Sequence, residues 1–339
     1  MTHLRTIAVA TLAAAAAACS DAGAPPTSPV TRTLGAASAS ASPDAPGLDV
    51  AATHILELRT ANNGAKSGAG GGGGTGIFYH GGPVLQAATK VVAVYWAAAP
   101  IYAGGPSAGT SGSGTADGSL IGHFLRNLGG SPYFNINTTY TDGSGAAIKN
   151  VVTYTGFWAN SGSVPANGAT VTDAQMVAML QSGINSGAIA YDASTVYAIF
   201  TAGTVNLGGG FGSQYCAYHT HGTVTVGGAA KTILYAAMPY DYAYPSGCSA
   251  LSGSPNNDPG ADSEVNTLAH EIEETTTDMM GNAWYDRRGY ENADKCAWTF
   301  GATYTTANGA KANMSLGGKD FLVQQNWINT GSGGCRLSF

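Results

Sequence analysis

The sequence "TLAHEIEETTTDMMGNAWYDRRGYENADKC" extends from Thr267 to Cys296 and combines a helical pattern with many acidic residues. At about 100° per residue, Leu268 and Ile272 fall on one side of a helix, and His270 and Glu274 fall on roughly the opposite side. The apolar side is expected to pack against a sheet. The polar side carries the pattern His-Glu-x-x-Glu, whose function depends on what the glutamates and the histidine bind.

The polar side of this helix predicts a divalent-metal site. In the similar pattern His-Glu-x-x-His, the outer residues bind zinc and the glutamate between them activates water. Because carboxylate oxygen also binds zinc, we expect His270 and Glu274 to be ligands and Glu271 to be the general base. Glu291 is the expected third ligand, and Asp294 is its expected partner or an alternative ligand. One divalent metal is expected, zinc first, with calcium or manganese as alternatives.

Three further residues are alternative ligands or neighbours of ligands. Asp278 lies one helical turn beyond Glu274, and Gly281 allows the helix to end soon afterwards. His219 and His221 alternate in a predicted strand, so their side chains would point to the same face. The alternative to all of these expectations is a solvent-exposed helix face that binds no metal.

The acidic residues are concentrated around this helix. Like charges at helical spacing repel one another, and a bound cation is the most direct compensation. Elsewhere the chain is poor in charge, and its net charge of −6 without any basic run argues against nucleic acid as a partner. Half of the 20 acidic residues lie within this region: Asp258, Asp262, Glu264, Glu271, Glu273, Glu274, Asp278, Asp286, Glu291 and Asp294.

The remainder of the chain predicts an α+β fold in a single domain. Strand-like and helix-like segments alternate in the order β-α-β-α-β-β-β-α and are followed by a loop-rich C-terminal part. This order predicts a mixed sheet with packed helices, compatible with the zincin arrangement in which a sheet precedes the active-site helix. The expected strands lie in residues 90–98, 148–158, 194–203, 214–226 and 230–240, and the expected helices in 117–130, 172–184 and from Asp262 or Ser263 onwards.

The N-terminal region predicts export. Residues 1–19 combine Arg5 with a short apolar stretch and end at Cys19, which matches a lipoprotein-type cleavage site and would carry the lipid. Ordinary signal cleavage near the same place is the alternative. Residues 20–75 are rich in Ala, Ser, Pro and Gly and predict a disordered tether, with a short helix at 53–61. We therefore expect a globular domain at 76–339 at the outer cell surface, in the periplasm or outside the cell, with membrane contact only through the anchor.

The cysteine count supports an exported protein. Apart from Cys19, the chain has an even set of four cysteines, which predicts two disulfides. Four cysteines allow three pairings, of which Cys216–Cys248 and Cys296–Cys335 are the simplest in chain order. Because the chain contains no Cys-x-x-Cys pair, a zinc site built from thiolates is not expected.

Several short motifs occur in an order that resembles the plant Exordium, or phosphate-induced protein, family. The resemblance implies an extracellular or wall-associated protein, linked in plants to growth and cell expansion, without a settled biochemical activity. The plant proteins lack the acidic His-Glu helix, whereas the helix of this chain is similar to that of bacterial relatives. The plant role is therefore a poor guide to the function of this chain. The matching motifs are "IFYHGGPVL" at 77–85, "KVVAVYW" at 90–96, "YCAYH" at 215–219, "MPY" at 238–240 leading to Cys248, and Cys335 near the chain end.

Two functions from different classes remain open on the sequence. The first is a metal-dependent hydrolase, most simply a peptidase, in which Glu271 acts on water at the metal. The second is a non-catalytic extracellular protein that holds structural calcium or no metal and acts in cell-wall or surface interactions. A peptide or a cell-wall component is the expected substrate or partner.

Overall fold

The computed structural model describes residues 54–59 and 76–339. The predicted signal peptide, the predicted lipid attachment at Cys19 and most of the predicted tether lie outside the described residues. Within the two described ranges, no helix has the length and apolar character that a membrane crossing requires.

The strands are numbered in chain order. Seven of them form one sheet, and the others pair two by two in small ribbons. Their bounds are β1 His54–Glu57, β2 Phe78–Tyr79, β3 Thr89–Trp96, β4 Ser111–Ser113, β5 Val152–Asn160, β6 Thr170–Val171, β7 Thr195–Thr201, β8 Asn206–Leu207, β9 Tyr215–Val226, β10 Ala229–Met238, β11 Trp284–Tyr285, β12 Tyr304–Thr305, β13 Lys311–Ala312, β14 Met314–Leu316, β15 Lys319–Phe321, β16 Asn326–Ile328 and β17 Gly334–Arg336.

Three of the four described α-helices begin at a side-chain cap. Ser119 accepts a hydrogen bond from the Gly122 N–H at the start of the first helix, and Thr172 and Gln175 cap each other at the start of the second. The bounds are α1 Leu120–Leu128, α2 Asp173–Ser186, α3 Pro245–Cys248 and α4 Pro259–Thr277. The α4 helix begins at Pro259, capped by Asp258, and therefore starts earlier than the expected Asp262 or Ser263.

The central sheet is mixed, as the sequence predicts, and has the order β1-β9-β10-β7-β3-β5-β4. The four inner strands β10, β7, β3 and β5 are parallel, whereas β9 pairs antiparallel with β10. Helices α1 and α2 lie in the connections between the parallel strands, as such connections require. All described residues belong to one compact unit, and the α+β prediction is confirmed.

Both faces of the sheet are covered, and this explains the continuous apolar run in β3. Val91, Ala93 and Tyr95 face the layer that contains α1 and α4. Val92 and Val94 face the layer that contains α2. A parallel strand buried on both faces has no polar alternation, because neither set of side chains meets water.

The α4 helix is buried on every side, and this is where the fold departs from a simple amphipathic pattern. Leu268 and Ile272 pack against the sheet as expected. The opposite side is covered by the C-terminal part, in which the Gln324 N–H donates to Asn266 Oδ1 at 2.8 Å. His270 and Glu274 are both fully buried, so the solvent-exposed helix face considered as an alternative is not observed.

The segment 54–57 forms an edge strand, and the short helix expected there is wrong. It pairs antiparallel with β9, in a register that places His54 opposite His219. Leu56 is fully buried, and the Trp298 indole N–H donates to the Glu57 carbonyl at 2.8 Å. Burial of Leu56 and the free backbone groups of β9 favour a strand over a helix here, a choice that depends on residues distant in sequence.

Two disulfides join the pairs that chain order predicted. Cys216 at the start of β9 is bonded to Cys248 at the end of α3, with their Cα atoms 5.3 Å apart. Cys296 is bonded to Cys335 in β17, with their Cα atoms 5.6 Å apart. The second bond ties the chain end to the short 3₁₀ turn Asp294–Cys296.

Candidate metal centre

Four separate parts of the chain bring nitrogen and carboxylate groups together beside the middle of α4. They are β1, β9, α4 itself and the segment 291–294 that follows β11. The groups form overlapping trios whose ligand atoms lie within 4.8 Å of one another. The residues in these trios are His54, His219, His270, Glu271, Glu274, Glu291 and Asp294.

The trio of His270, Glu274 and Asp294 contains two of the ligands expected from the helix pattern, His270 and Glu274. His270 Nε2 lies 3.2 Å from Glu274 Oε1 and 3.5 Å from Asp294 Oδ1. Ligand atoms at about 2.0 Å from a tetrahedral metal are separated by about 3.3 Å, so these spacings suit a shared cation. The Asp294 backbone N–H also donates to Glu274 Oε1 at 2.8 Å, which fixes the two carboxylates relative to each other.

Gln324 orients the His270 ring, and the sequence did not predict this. Gln324 Nε2 lies 2.7 Å from His270 Nδ1 and donates to the Ala293 carbonyl at 3.1 Å. The ring is thereby held with Nε2 towards the carboxylates. As placed, Gln324 Nε2 donates to Nδ1, so a neutral ring carries its proton on Nε2. A metal on Nε2 would require the Gln324 amide to turn over, with loss of its hydrogen bonds to the Ala293 carbonyl and from the Trp298 backbone N–H.

Glu271, the expected general base, lies between α4 and β9. His219 Nδ1 is 3.2 Å from Glu271 Oε2 and 3.6 Å from Glu274 Oε2. Glu271 Oε1 has no hydrogen-bond partner in the part of the chain that the structure describes, although the residue is fully buried. His219 is therefore part of the centre, as one of the sequence alternatives proposed.

Glu291, the expected third ligand, faces a different pair of histidines. Its Oε2 lies 3.6 Å from His219 Nε2 and contacts His54 Nδ1. The rings of His54 and His219 are stacked with their centroids 5.2 Å apart. Of the two carboxylates in the described segment 291–294, Asp294 and not Glu291 lies within ion-pair distance of His270 Nε2.

Two sequence candidates lie outside these trios. Asp278 Oδ1 accepts hydrogen bonds from the Asn282 and Ala283 backbone N–H groups at 2.6 and 2.7 Å, so that oxygen orders the turn after α4. His221 follows His219 on the same face of β9 but is exposed. It lies towards the far end of the β9–β10 hairpin, where residues 229–232 of β10 are exposed as well.

Burial dominates the electrostatics of the centre. It raises the pKa values of Glu271, Glu274 and Glu291, and the neighbouring carboxylates raise them further. Burial lowers the pKa of His219 well below its usual value, with His54 and His270 adding to the effect. Burial alone would lower the pKa of His270, but the carboxylates of Glu274 and Asp294 raise it. Without a cation, protons must therefore neutralise part of the carboxylate charge.

The donor set fits a transition-metal cation. Buried polar atoms normally have hydrogen-bond partners, yet Nε2 of His219, Nε2 of His270 and Oε2 of Glu274 have none among residues 54–59 and 76–339. Imidazole nitrogen together with carboxylate oxygen suits zinc and manganese, whereas calcium takes oxygen ligands almost exclusively. The centre can therefore hold a divalent cation and keep a carboxylate, Glu271, free to exchange a proton.

Comparison with known proteins identifies the family. The family model of the phosphate-induced protein 1 conserved region matches residues 130–319, which is more than half of the 339 residues. The match includes β9, α4 and the segment 291–294, and it excludes β1 and Gln324. No curated protein and no solved structure matches the chain significantly. The chain belongs to the phosphate-induced protein 1, or Exordium, family.

Proposed function

We propose that this protein is an exported, lipid-anchored cell-surface hydrolase that binds a divalent cation and acts on peptide bonds. The two disulfides and the family membership support an extracellular location. Cys19 is the proposed lipid attachment site, and residues between it and β1 are proposed to tether the folded domain.

The observation that carries the metal proposal is the set of buried ligand atoms without hydrogen-bond partners. An unpaired buried polar atom destabilises a fold by about 1–3 kcal/mol, and more when it is charged. Among the described residues, a cation held by His270, Glu274 and Asp294 would provide a partner for His270 Nε2, which has none, and would lie beside the unpartnered Glu274 Oε2. Zinc is the favoured cation and manganese the alternative, because one imidazole and two carboxylates accept either.

The proposed chemistry is the hydrolysis of an amide. When bound, a divalent cation here supplies Lewis-acid chemistry that lowers the pKa of water and polarises a carbonyl group. Glu271 is the proposed general base, because its Oε1 carries no hydrogen bond and it follows His270 on α4. His219 Nδ1 holds the other oxygen of Glu271 at 3.2 Å, which fixes the carboxylate for proton transfer.

A second function, a structural cation in a non-catalytic surface protein, is favoured by the burial of the centre. His270 and Glu274 are fully buried, and the Asp294 side chain is 10% exposed. Structural metal sites are closed, whereas catalytic sites keep a position open to substrate. A cavity of about 480 Å³, which Trp96 and Met179 help to line, lies on the α2 face of the sheet and not beside this centre.

Metal analysis of protein purified without chelator tests the proposal, together with three variants of α4. Glu274→Gln should lose the cation, whereas Glu274→His should keep zinc because it restores His-Glu-x-x-His. Glu271→Gln should keep the cation and lose hydrolysis of a mixed peptide library. Glu273→Gln is the matched control, since Glu273 is equally buried on the same helix but belongs to none of the ligand trios.

Three results separate the alternatives. A bound transition metal and hydrolysis that depends on Glu271 support the hydrolase. A bound metal without hydrolysis of peptides favours the structural role. Equal metal content in Glu274→Gln, Glu273→Gln and the natural protein would rule out the proposed ligand set.

A further inference from the structure

We infer that the centre has a second cation position, formed by His54, His219 and Glu291. This position goes beyond the single cation of the proposed function, and it is built by different residues. It includes one residue from β1, which composition alone places in a tether. The chemical class of its ligand is a divalent transition metal, for which two imidazoles and one carboxylate are a suitable donor set.

The geometry brings the three ligand groups together from three elements. His54 Nδ1 contacts Glu291 Oε2, and His219 Nε2 lies 3.6 Å from the same oxygen. The ligand atoms of all three lie within 4.8 Å of one another. The stacked rings, with centroids 5.2 Å apart, present their nitrogens to one carboxylate and not to each other.

Unpartnered buried atoms point to a ligand at this position independently of the acidic composition. His219 is 1% exposed, and its Nε2 has no hydrogen-bond partner among the described residues. Glu291 is fully buried, and its Oε1 likewise has no partner within the described ranges. A cation between His54, His219 and Glu291 would be coordinated by both His219 and Glu291.

The charge of the centre also favours a pair of cations over one. The trios together contain four carboxylates, namely Glu271, Glu274, Glu291 and Asp294, at least nine-tenths buried. With all four ionised, one divalent cation would leave a net charge of about −2 in a buried volume, and protons would have to neutralise the remainder. Two divalent cations would balance the four carboxylates with every histidine neutral.

The two positions are adjacent but separable. His219 directs Nδ1 towards Glu271 and Glu274 and directs Nε2 towards Glu291, so it lies between the two groups. The His54 side chain is 19% exposed, the highest exposure among the three ligands of the second position. A substitution there should remove the second position with little effect on the packing of α4.

The test is metal stoichiometry by native mass spectrometry, on the full exported chain titrated with Zn²⁺ alone and then with Mn²⁺ alone. We expect the natural protein to bind two cations and His54→Ala to bind one. The matched control is His221→Ala, which removes the next histidine on the same face of β9, exposed and outside the trios, and should bind two. Glu274→Gln should bind one, and the double variant His54→Ala/Glu274→Gln should bind none.

The outcomes distinguish this inference from the proposed function. A natural protein that binds one cation, and keeps it in His54→Ala but not in Glu274→Gln, overturns the second position and leaves the first intact. A protein that binds none overturns both. Two cations in His54→Ala also overturn the inference, and if that variant does not fold, the stoichiometry of the natural protein decides the question.

Discussion

Removal of the Cys296–Cys335 disulfide should both destabilise the fold and weaken metal binding. The perturbation is the double variant Cys296→Ser/Cys335→Ser. Cys296 ends the 3₁₀ turn that begins at Asp294, and its backbone N–H donates to the Ala293 carbonyl at 3.0 Å. Loss of the bond releases the chain end from this turn, and the turn holds a proposed ligand of the first cation.

The magnitude follows from the chain separations. The loop closed by this disulfide spans 39 residues. By the loop-entropy relation, the bond raises the free energy of unfolding by about 3.9 kcal/mol at 25 °C, because it restricts the unfolded chain. The Cys216–Cys248 bond closes 32 residues, and the same relation gives about 3.7 kcal/mol. Its removal is therefore a matched control for stability. Cys216 lies in β9 between β1 and β10, whose hydrogen bonds keep His219 in place without the disulfide.

Urea unfolding and zinc competition together check this reasoning. Both double variants should lose a similar free energy of unfolding, within about 1 kcal/mol of each other. Only the variant that lacks Cys296–Cys335 should bind zinc more weakly, by about 10- to 100-fold, the effect usual for lost support around a ligand. Equal zinc affinities in the two variants would refute the idea that the C-terminal disulfide supports the centre.

Three further predictions concern α4, the first two in protein kept free of metal by EDTA. Burial raises the pKa of Glu264 to about 8 beside Asp241, so the folded state holds a proton that the unfolded state releases above about pH 4.3. The free energy of unfolding should therefore fall as pH rises from about 4.3 to about 8. In Glu264→Gln, the midpoint of urea unfolding should depend less on pH. Burial raises the pKa of Glu273 well above its usual value, and the Asn137 side chain opposes this only in part. Glu273→Gln should therefore raise the free energy of unfolding at pH 8 by about 1 kcal/mol, and a loss would contradict this. Leu268→Ala should lower the free energy of unfolding by about 2–5 kcal/mol without changing zinc stoichiometry, as measured by thermal melting and native mass spectrometry.

Local patterns were sufficient to predict the central elements. The run that became β3 is apolar on both faces, and the apolar residues of α1 recur at helical spacing, so each could be assigned without its neighbours. The position of His270 and Glu274 on one side of α4 also follows from helix geometry alone. The disulfide pairing followed from chain order, because each bond joins cysteines close in sequence.

The remainder of the centre depends on contacts between distant residues. His54 lies in a stretch whose composition is that of a tether, and only its pairing with β9 places it beside His219. Gln324 has no motif of its own and reaches His270 because the C-terminal part folds over α4. Glu291 and Asp294 are one short turn apart, and which of them meets His270 is set by the turn geometry and not by the Glu-x-x-Asp spacing.

The pairing of β1 with β9 has a practical consequence for the choice of expression boundaries. A clone that starts at Gly76 retains every part of the chain that composition marks as globular, but it leaves β9 as an uncovered edge strand and omits a histidine from the centre. Boundaries drawn at the family match, residues 130–319, would in addition remove β3 from the middle of the sheet and Cys335 from its disulfide. Inactivity or aggregation of such fragments would result from the truncation and would not describe the natural protein. Recombinant versions should therefore begin before His54.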